Sequence, residues 1–218
     1  MTMERRLPPL LSVIAGMVDL IGFLTLGNVF TAHITGNLVL LAAGVVSGRP
    51  VNVAQALAIL VFMLAVAAAS LIARATGRRG PRLARLLLLL QFLQLVAVLA
   101  FCVVTHPSRD PHGLMAGIAI EIAVSAIAFQ FALLRLAVPG APSTAVMTGN
   151  LTTAVLALLD STSPNPVMED APRRLRRTVP LLVGFLAGCV VAAAGVPMMG
   201  DWVWVLPTAL AGLAVVIG

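Results

Sequence analysis

The strongest constraint on this chain is a series of long apolar runs, most of them of about 18 residues or more, which is the length of a membrane-crossing helix. Lipid offers no hydrogen-bond partners, so the backbone of such a run must satisfy its own polar groups by forming a helix. The apolar segments cover residues 9–27, 28–47, 52–73, 86–104, 113–134, 143–159, 179–197 and 201–218. The chain is therefore predicted to be an all-α integral membrane protein, with one membrane domain over residues 1–218.

The charged residues support this class. They make up 10% of the chain, against about 25% in a soluble domain. The net charge is +6, and all fourteen basic residues are arginines in or near the short connections between apolar runs. Arginines in such places orient a protein in the bilayer, so the basic pI does not indicate nucleic-acid binding. We expect the lipid bilayer as a partner and no nucleic acid.

Two copies of a short motif divide the chain into halves. Residues 31–38 read Thr-Ala-His-Ile-Thr-Gly-Asn-Leu, and residues 144–151 read Thr-Ala-Val-Met-Thr-Gly-Asn-Leu. Six of the eight positions are identical, and the two copies lie about half the chain apart. A long apolar segment precedes each copy and two follow it. This pattern predicts internal repeats at about 9–104 and 113–218.

The arginine distribution distinguishes two topologies for a chain with a cytoplasmic N-terminus. If all eight segments span the bilayer, eight arginines lie inside and six outside. If segments 28–47 and 143–159 each enter and leave on one side, twelve arginines lie inside, and only Arg49 and Arg109 lie outside. The second arrangement obeys the positive-inside rule. It predicts six full transmembrane helices plus two re-entrant or broken Thr-Gly-Asn segments, with both termini cytoplasmic.

This topology makes the two halves inverted, because each then contains three full spans and the second half enters the membrane from the opposite side. Inverted repeats with broken helices near the midplane are a common plan of secondary transporters. Eight full spans with parallel halves is the alternative.

Two carboxylates lie within the predicted spans. Asp19 is near the middle of segment 9–27, and Glu121 is near the middle of segment 113–134. A charged group at that depth costs on the order of 3 kcal/mol on insertion scales, so it is a functional candidate. Each is interpreted either as a proton-coupling or substrate-binding group, or as a structural hydrogen-bonding group between helices. The two carboxylates do not occupy equivalent positions in the two halves, because Asp19 precedes Thr35 by sixteen residues and Glu121 precedes Thr148 by twenty-seven.

The Thr-Gly-Asn motifs are the most distinctive features. Their residues are Thr35, Gly36, Asn37, Thr148, Gly149 and Asn150. Threonine and asparagine can cap the start of a helix, and glycine allows close approach of the backbone. A short helix starting at each motif would present free N–H groups and partial positive charge within the membrane. The alternative interpretation is that these small polar residues only hold helices together.

His33 lies two residues before the first Thr-Gly-Asn, and Val146 replaces it in the second copy. A histidine beside a buried carboxylate can relay protons; the alternative is a tolerated polar contact. The two cysteines, Cys102 and Cys189, have no second cysteine or histidine at ligand spacing. No metal site and no cofactor are expected.

The motif residues also carry a family resemblance. The pattern Val18, Asp19, Thr35, Gly36 and Asn37 resembles the first half of the YoaK family, small bacterial membrane proteins of unassigned function. In the second half, the family's glutamine before a Thr-Gly pair is similar to Gln130, Thr148 and Gly149, although Phe131 stands where an asparagine often follows. The resemblance implies a membrane protein and adds Gln130 to the candidate site residues.

These patterns favour a transporter or channel for a small solute, with proton coupling as an option. The alternative is a non-transporting scaffold or assembly factor. Because no nucleophile and base pair and no enzyme motif occurs, we do not expect an enzyme. We expect a multi-pass protein of the bacterial cytoplasmic (inner) membrane, and its small size favours a homodimer as one assembly.

Overall fold

The fold is helical throughout the part of the chain that the computed structural model describes, residues 3–138, 140–144, 146–163 and 170–218. The helices are α1 (Met3–Thr25), α2 (Ile34–Val46), α3 (Val53–Thr76), α4 (Gly80–Thr105), α5 (Leu114–Ala137), α6 (Met147–Thr162), α7 (Ala171–Met199) and α8 (Val205–Ile217). Short 3₁₀ helices cover Pro107–Arg109 and Gly200–Trp204. The predicted all-α membrane class is confirmed.

Helix length separates the membrane-crossing segments from the motif segments. Within the described residues, five stretches are long and apolar enough to cross a bilayer, and the last of them, Ala171–Ile217, contains both α7 and α8. By contrast, α2 has 13 residues and α6 has 16, or about 20 and 24 Å at 1.5 Å per residue. Both are shorter than the roughly 30 Å hydrocarbon core. The last predicted span, 201–218, consists of a 3₁₀ helix followed by α8.

The centre of the molecule is formed by α1 and α5. Their most apolar windows are 67% and 72% buried within the protein, against 17% for α3. Gly22 of α1 lies against Ile120 of α5, and Gln130 of α5 donates a hydrogen bond to the carbonyl of Leu11 at 2.9 Å. Residue numbers thus run in opposite directions along the two helices, so α1 and α5 are antiparallel.

The first motif segment enters and leaves the protein on one face. At the end of α1, the carbonyl of Gly27 accepts a hydrogen bond from the side chain of Asn52 at 2.7 Å. Asn52 also caps α3 by accepting from the backbone N–H of Ala54. Between these points the backbone of Thr31 bonds to Asp19. Asp19 lies six residues before the end of α1, or about 9 Å from that end along the helix axis. Segment 28–47 is therefore re-entrant, as predicted.

The second motif segment has the same form on the opposite face. Gly140, which follows α5, and Asp170, which precedes α7, line one cavity. Between them, Thr144 lies 3.4 Å from Gln130, about 10 Å back from the end of α5. Since α1 and α5 are antiparallel, the two re-entrant segments approach the interior from opposite faces. The alternative of eight full spans with parallel halves does not fit this arrangement.

Candidate functional site

Asp19 holds the innermost part of the first re-entrant segment. Its side chain is buried, and its Oδ1 atom accepts hydrogen bonds from the backbone N–H groups of Thr31 and Ala32, both at 2.7 Å. The hydroxyl of Thr31 donates to the same oxygen at 3.3 Å. Charge-assisted hydrogen bonds of this kind are stronger than neutral ones. The carboxylate therefore satisfies N–H groups that precede α2, at a depth where lipid and apolar side chains offer no partner.

His33 connects this buried carboxylate to the surface of the protein. Its Nδ1 atom lies 2.6 Å from Oδ2 of Asp19, and its side chain is 39% exposed. The ring packs edge-on against Phe30 and Phe185, with centroids 5.9 and 5.4 Å away. Carboxylate and imidazole thus form one unit with a buried end and an accessible end.

Asn37 is fully buried and forms two hydrogen bonds to the loop before α2. Its Oδ1 accepts from the N–H of Phe30, and its Nδ2 donates to the carbonyl of the same residue, both at 2.8 Å. Thr35 is exposed, and Gly36 packs close to the ring of Phe30. The prediction that threonine and asparagine cap the short helix is wrong for α2. The motif lies within its first turn, and the capping position, His33, makes no side-chain capping bond.

The second Thr-Gly-Asn repeats this arrangement. Asn150 is buried and donates to the carbonyl of Ser143 at 2.8 Å, seven residues back, as Asn37 does to Phe30. Thr148 and Gly149 are exposed. Val146 occupies the capping position of α6 without a side-chain capping bond, so the capping prediction is wrong here too. Each motif asparagine therefore holds the loop that precedes its own short helix.

Gln130 of α5 contacts the second re-entrant segment, as Asp19 of α1 contacts the first. Its Nε2 lies 3.4 Å from the hydroxyl of Thr144, and Thr144 begins the second copy of the duplicated stretch as Thr31 begins the first. Its Oε1 accepts from Gln91 at 2.8 Å. Thr31 and Thr144 were not among the predicted site residues. Their shared first position in the two copies is the sequence signal that identifies them.

Glu121 belongs to neither group. Both of its carboxylate oxygens are buried and have no hydrogen-bond partner within the described part of the chain. It lies nine residues before Gln130, or two and a half helical turns, so the two side chains leave α5 on opposite sides. The predicted site residues therefore separate into three places: the Asp19–His33–Asn37 group, the Gln130–Asn150 group, and Glu121.

The two motif groups do not meet. The first is bonded to Asp19 of α1, and the second, through Gln130, to Leu11 of α1. These eight residues of α1 correspond to about 12 Å along the helix axis. Between the two levels the helices bury apolar residues such as Val18 and Ile127. No three histidine, cysteine, aspartate or glutamate side chains among the residues described come together as metal ligands.

The comparisons with known proteins agree with the membrane class. The family model described as "Protein of unknown function (DUF1275)" matches residues 7–217. The chain is also similar to the UPF0700 transmembrane protein YoaK of Bacillus subtilis (strain 168), with 54% identity over 44 residues, or 20% of this chain and 19% of that relative. No solved structure matches. Since the family match covers nearly its whole length, the chain belongs to the DUF1275 family of proteins of unknown function.

Proposed function

We propose that this protein transports a small solute across the bacterial inner membrane and couples that transport to protons through Asp19 and His33. The observation that carries the proposal is the bonded pair itself: a buried carboxylate at the inner end of a re-entrant segment, 2.6 Å from a half-exposed imidazole. Ionisable groups at membrane depth are costly and are typical of proton relays and substrate pathways. Imidazole changes its charge near neutral pH.

The chemistry of the pair suits proton exchange. When Nδ1 of His33 donates its proton to Asp19, the other ring nitrogen, Nε2, keeps a lone pair that can accept a proton from the accessible side. Protonation then gives an imidazolium beside the carboxylate, which is a stable ion pair. Release of that proton on the other face would require the re-entrant segment to move, since Thr31 and Ala32 hold Asp19 in its present position.

The arrangement of the helices supports a transporter. α1 packs on α7 as α5 packs on α3, α2 packs on α3 as α6 packs on α7, and α4 packs on α5 as α8 packs on α1. Exchanging the two halves leaves this set of pairs unchanged, which is the pattern expected of an inverted repeat. Inverted repeats with discontinuous helices allow one repeat to rock against the other around a central site.

A non-transporting scaffold is the second candidate, favoured by the apolar layer between the two motif groups. At this level α1 and α5 bury Ala15, Val18, Ala123 and Ile127, so the described residues form no continuous polar path. A transporter in an occluded state and a scaffold share this feature. Measured flux separates them.

We expect proteoliposomes containing the protein to take up at least one member of a solute panel, faster when a pH gradient is imposed. His33→Gln is expected to reduce the gradient-dependent part of that uptake by about 5- to 150-fold, the usual range of coupling between two sites. The matched control is His106→Gln. His106 is 42% exposed and lies 3.2 Å from Asp201, so this variant breaks a similar pair that includes no motif residue and should retain coupling.

Absence of flux for every solute, from protein whose helical content and monodispersity are intact, would contradict transport and favour the scaffold. If uptake responded equally to the pH gradient in wild-type protein and in His33→Gln, the proton-coupling role of His33 would be contradicted, but transport itself would not.

The orientation can be tested independently. We expect cysteines placed at Arg49 and Arg109 to react with an impermeant maleimide added to intact cells, and cysteines at Arg78 and Arg173 to react only after the membrane is opened. The reason is the excess of arginine on the cytoplasmic side. The background carries Cys102→Ser and Cys189→Ser. Labelling of all four sites from the same side would contradict the topology.

A further inference from the structure

A partly open cavity of about 370 Å³ lies beside the second re-entrant segment, where α6 meets the start of α7. Three arginines of α7 line it: Arg173, Arg174 and Arg177. Across from them, α6 contributes Asn150 and Thr153. The cavity thus joins cationic side chains to a buried asparagine of the Thr-Gly-Asn motif.

The described residues that line the cavity carry a net positive charge. Its lining has three guanidinium groups and one carboxylate, that of Asp170, which gives 3 − 1 = +2. The carboxylate lies 3.8 Å from Arg173, and the side chains of Arg173 and Asp170 are 66% and 72% exposed, so their attraction is weak. Arg177 forms no ion pair among the residues described. Hydroxyl groups of Thr153 and Thr178 add polar atoms to the wall.

The fold itself does not require this charge. When the two copies of the duplicated motif are aligned, Arg173, Arg174 and Arg177 correspond to Leu60, Val61 and Leu64 of α3. Asn37 and Asn150 are the same residue in the two halves, and each bonds to the residue seven positions before it. The asparagine therefore serves the architecture in both halves, whereas the helix that packs on the first re-entrant segment has apolar residues at the positions of these arginines.

We propose that this cavity binds a phosphate-type oxyanion, either free in solution or as the headgroup of an anionic phospholipid. Arginine presents a planar fork of donors that matches the oxygens of a phosphate, so two arginines on one helix face can hold it by charge-assisted hydrogen bonds. The volume falls within the range of ligand pockets, roughly 300–1,000 Å³. This inference does not depend on transport or on the Asp19–His33 pair.

The competing explanation is that these arginines only orient the protein through the positive-inside rule. That role requires charge on one side of the membrane but no defined cavity, and it predicts no ligand. Binding therefore distinguishes the two explanations. The full chain is used throughout, because the cavity is built from two helices that pack against the rest of the protein.

The experiment measures thermal unfolding of purified protein in an uncharged detergent, with inorganic phosphate titrated against sodium chloride at equal ionic strength. A ligand that binds only the folded state raises the melting temperature. In the second arm, the protein is reconstituted in phosphatidylcholine vesicles with and without phosphatidylglycerol, and its melting temperature is compared. Stabilisation by phosphate indicates a free anion, and stabilisation by phosphatidylglycerol alone indicates a lipid headgroup; both support the oxyanion site.

Arg177→Gln is expected to weaken whichever effect is found by about 10- to 100-fold in apparent affinity, as loss of charge-assisted hydrogen bonds does. Arg177→Lys keeps the positive charge but lacks the planar fork of donors, so it should retain only part of the wild-type affinity. The matched control is Arg82→Gln, which removes one exposed arginine from the first turns of α4 and should bind as wild type. The proposal is overturned if neither arm stabilises wild-type protein, or if Arg177→Gln and Arg82→Gln respond alike.

Discussion

Replacing Asp19 by alanine is expected to lower the free energy of unfolding by about 2–6 kcal/mol. The substitution leaves the backbone N–H groups of Thr31 and Ala32 buried without an acceptor, and each such group costs about 1–3 kcal/mol. No nearby water is expected to replace the carboxylate, because Thr31 is fully buried. The change is measured by equilibrium unfolding in mixed micelles of mild detergent and sodium dodecyl sulfate.

Asparagine at position 19 separates the two roles of the carboxylate. Oδ1 of Asp19 accepts both backbone bonds, whereas Oδ2 lies 2.6 Å from Nδ1 of His33. An asparagine can keep its oxygen towards the backbone and direct its Nδ2 towards the imidazole. Asp19→Asn should therefore unfold within about 1 kcal/mol of wild type but lose proton-coupled uptake, since a neutral amide provides no negative charge to stabilise the imidazolium of His33.

Asp110→Ala is the control, because Asp110 is exposed in the connection before α5. It should change the free energy of unfolding by no more than about 0.5 kcal/mol. If Asp19→Ala were as stable as this control, the carboxylate would not be holding the re-entrant segment. If Asp19→Asn retained pH-driven uptake, the proton would be carried elsewhere, with Glu121 as the next residue to test.

The second large effect is expected at the contact between α1 and α7. A Cβ atom at Gly188 would collide with the carbonyl oxygen of Val13, and one at Gly16 with that of Phe185. The obstacles are backbone atoms, which cannot rotate away. Gly188→Leu should therefore destabilise the protein by more than the about 1–3 kcal/mol typical of overpacking by side chains, and much of it should fail to fold.

The matched control is Gly117→Leu in α5. A Cβ atom at Gly117 meets nothing within 4 Å, and leucine has a higher helix propensity than glycine by roughly 0.5–1 kcal/mol. This variant should fold as well as wild type or slightly better. Yield and melting temperature, followed by size-exclusion chromatography in detergent, measure both variants. Equal stability of the two leucine variants would show that α1 and α7 can separate at little cost.

The same contact shows what a sequence pattern leaves open. The Gly-x-x-x-Gly pattern of Gly184 and Gly188 predicts close helix packing, but the pattern is the same for a partner helix in one chain or in a second subunit. In the structure the partner is α1 of the same chain, with Gly16 completing the contact. Packing partners are decided by where helices lie in three dimensions, which residue spacing along one helix does not encode.

The Thr-Gly-Asn motifs show a related limit. Their duplication and their place in short re-entrant helices were predictable from the identity of the two copies and from the arginine count. Their predicted capping role was wrong. Asn37 instead binds Phe30, and the N–H groups before α2 are satisfied by Asp19, which belongs to another element. A short polar motif looks like a cap when only its immediate neighbours are considered.

The membrane class and the approximate positions of the helices could be predicted from the amino-acid sequence alone. Both follow from hydropathy along the chain, because a long apolar run in lipid must satisfy its backbone polar groups by forming a helix. Only the folded structure shows that Asp19 contacts His33, that Gln130 contacts Thr144, and that the arginines of α7 line one cavity with Asn150. Such pairings depend on helix packing between distant residues, as in the bond from Ser12 to Leu181.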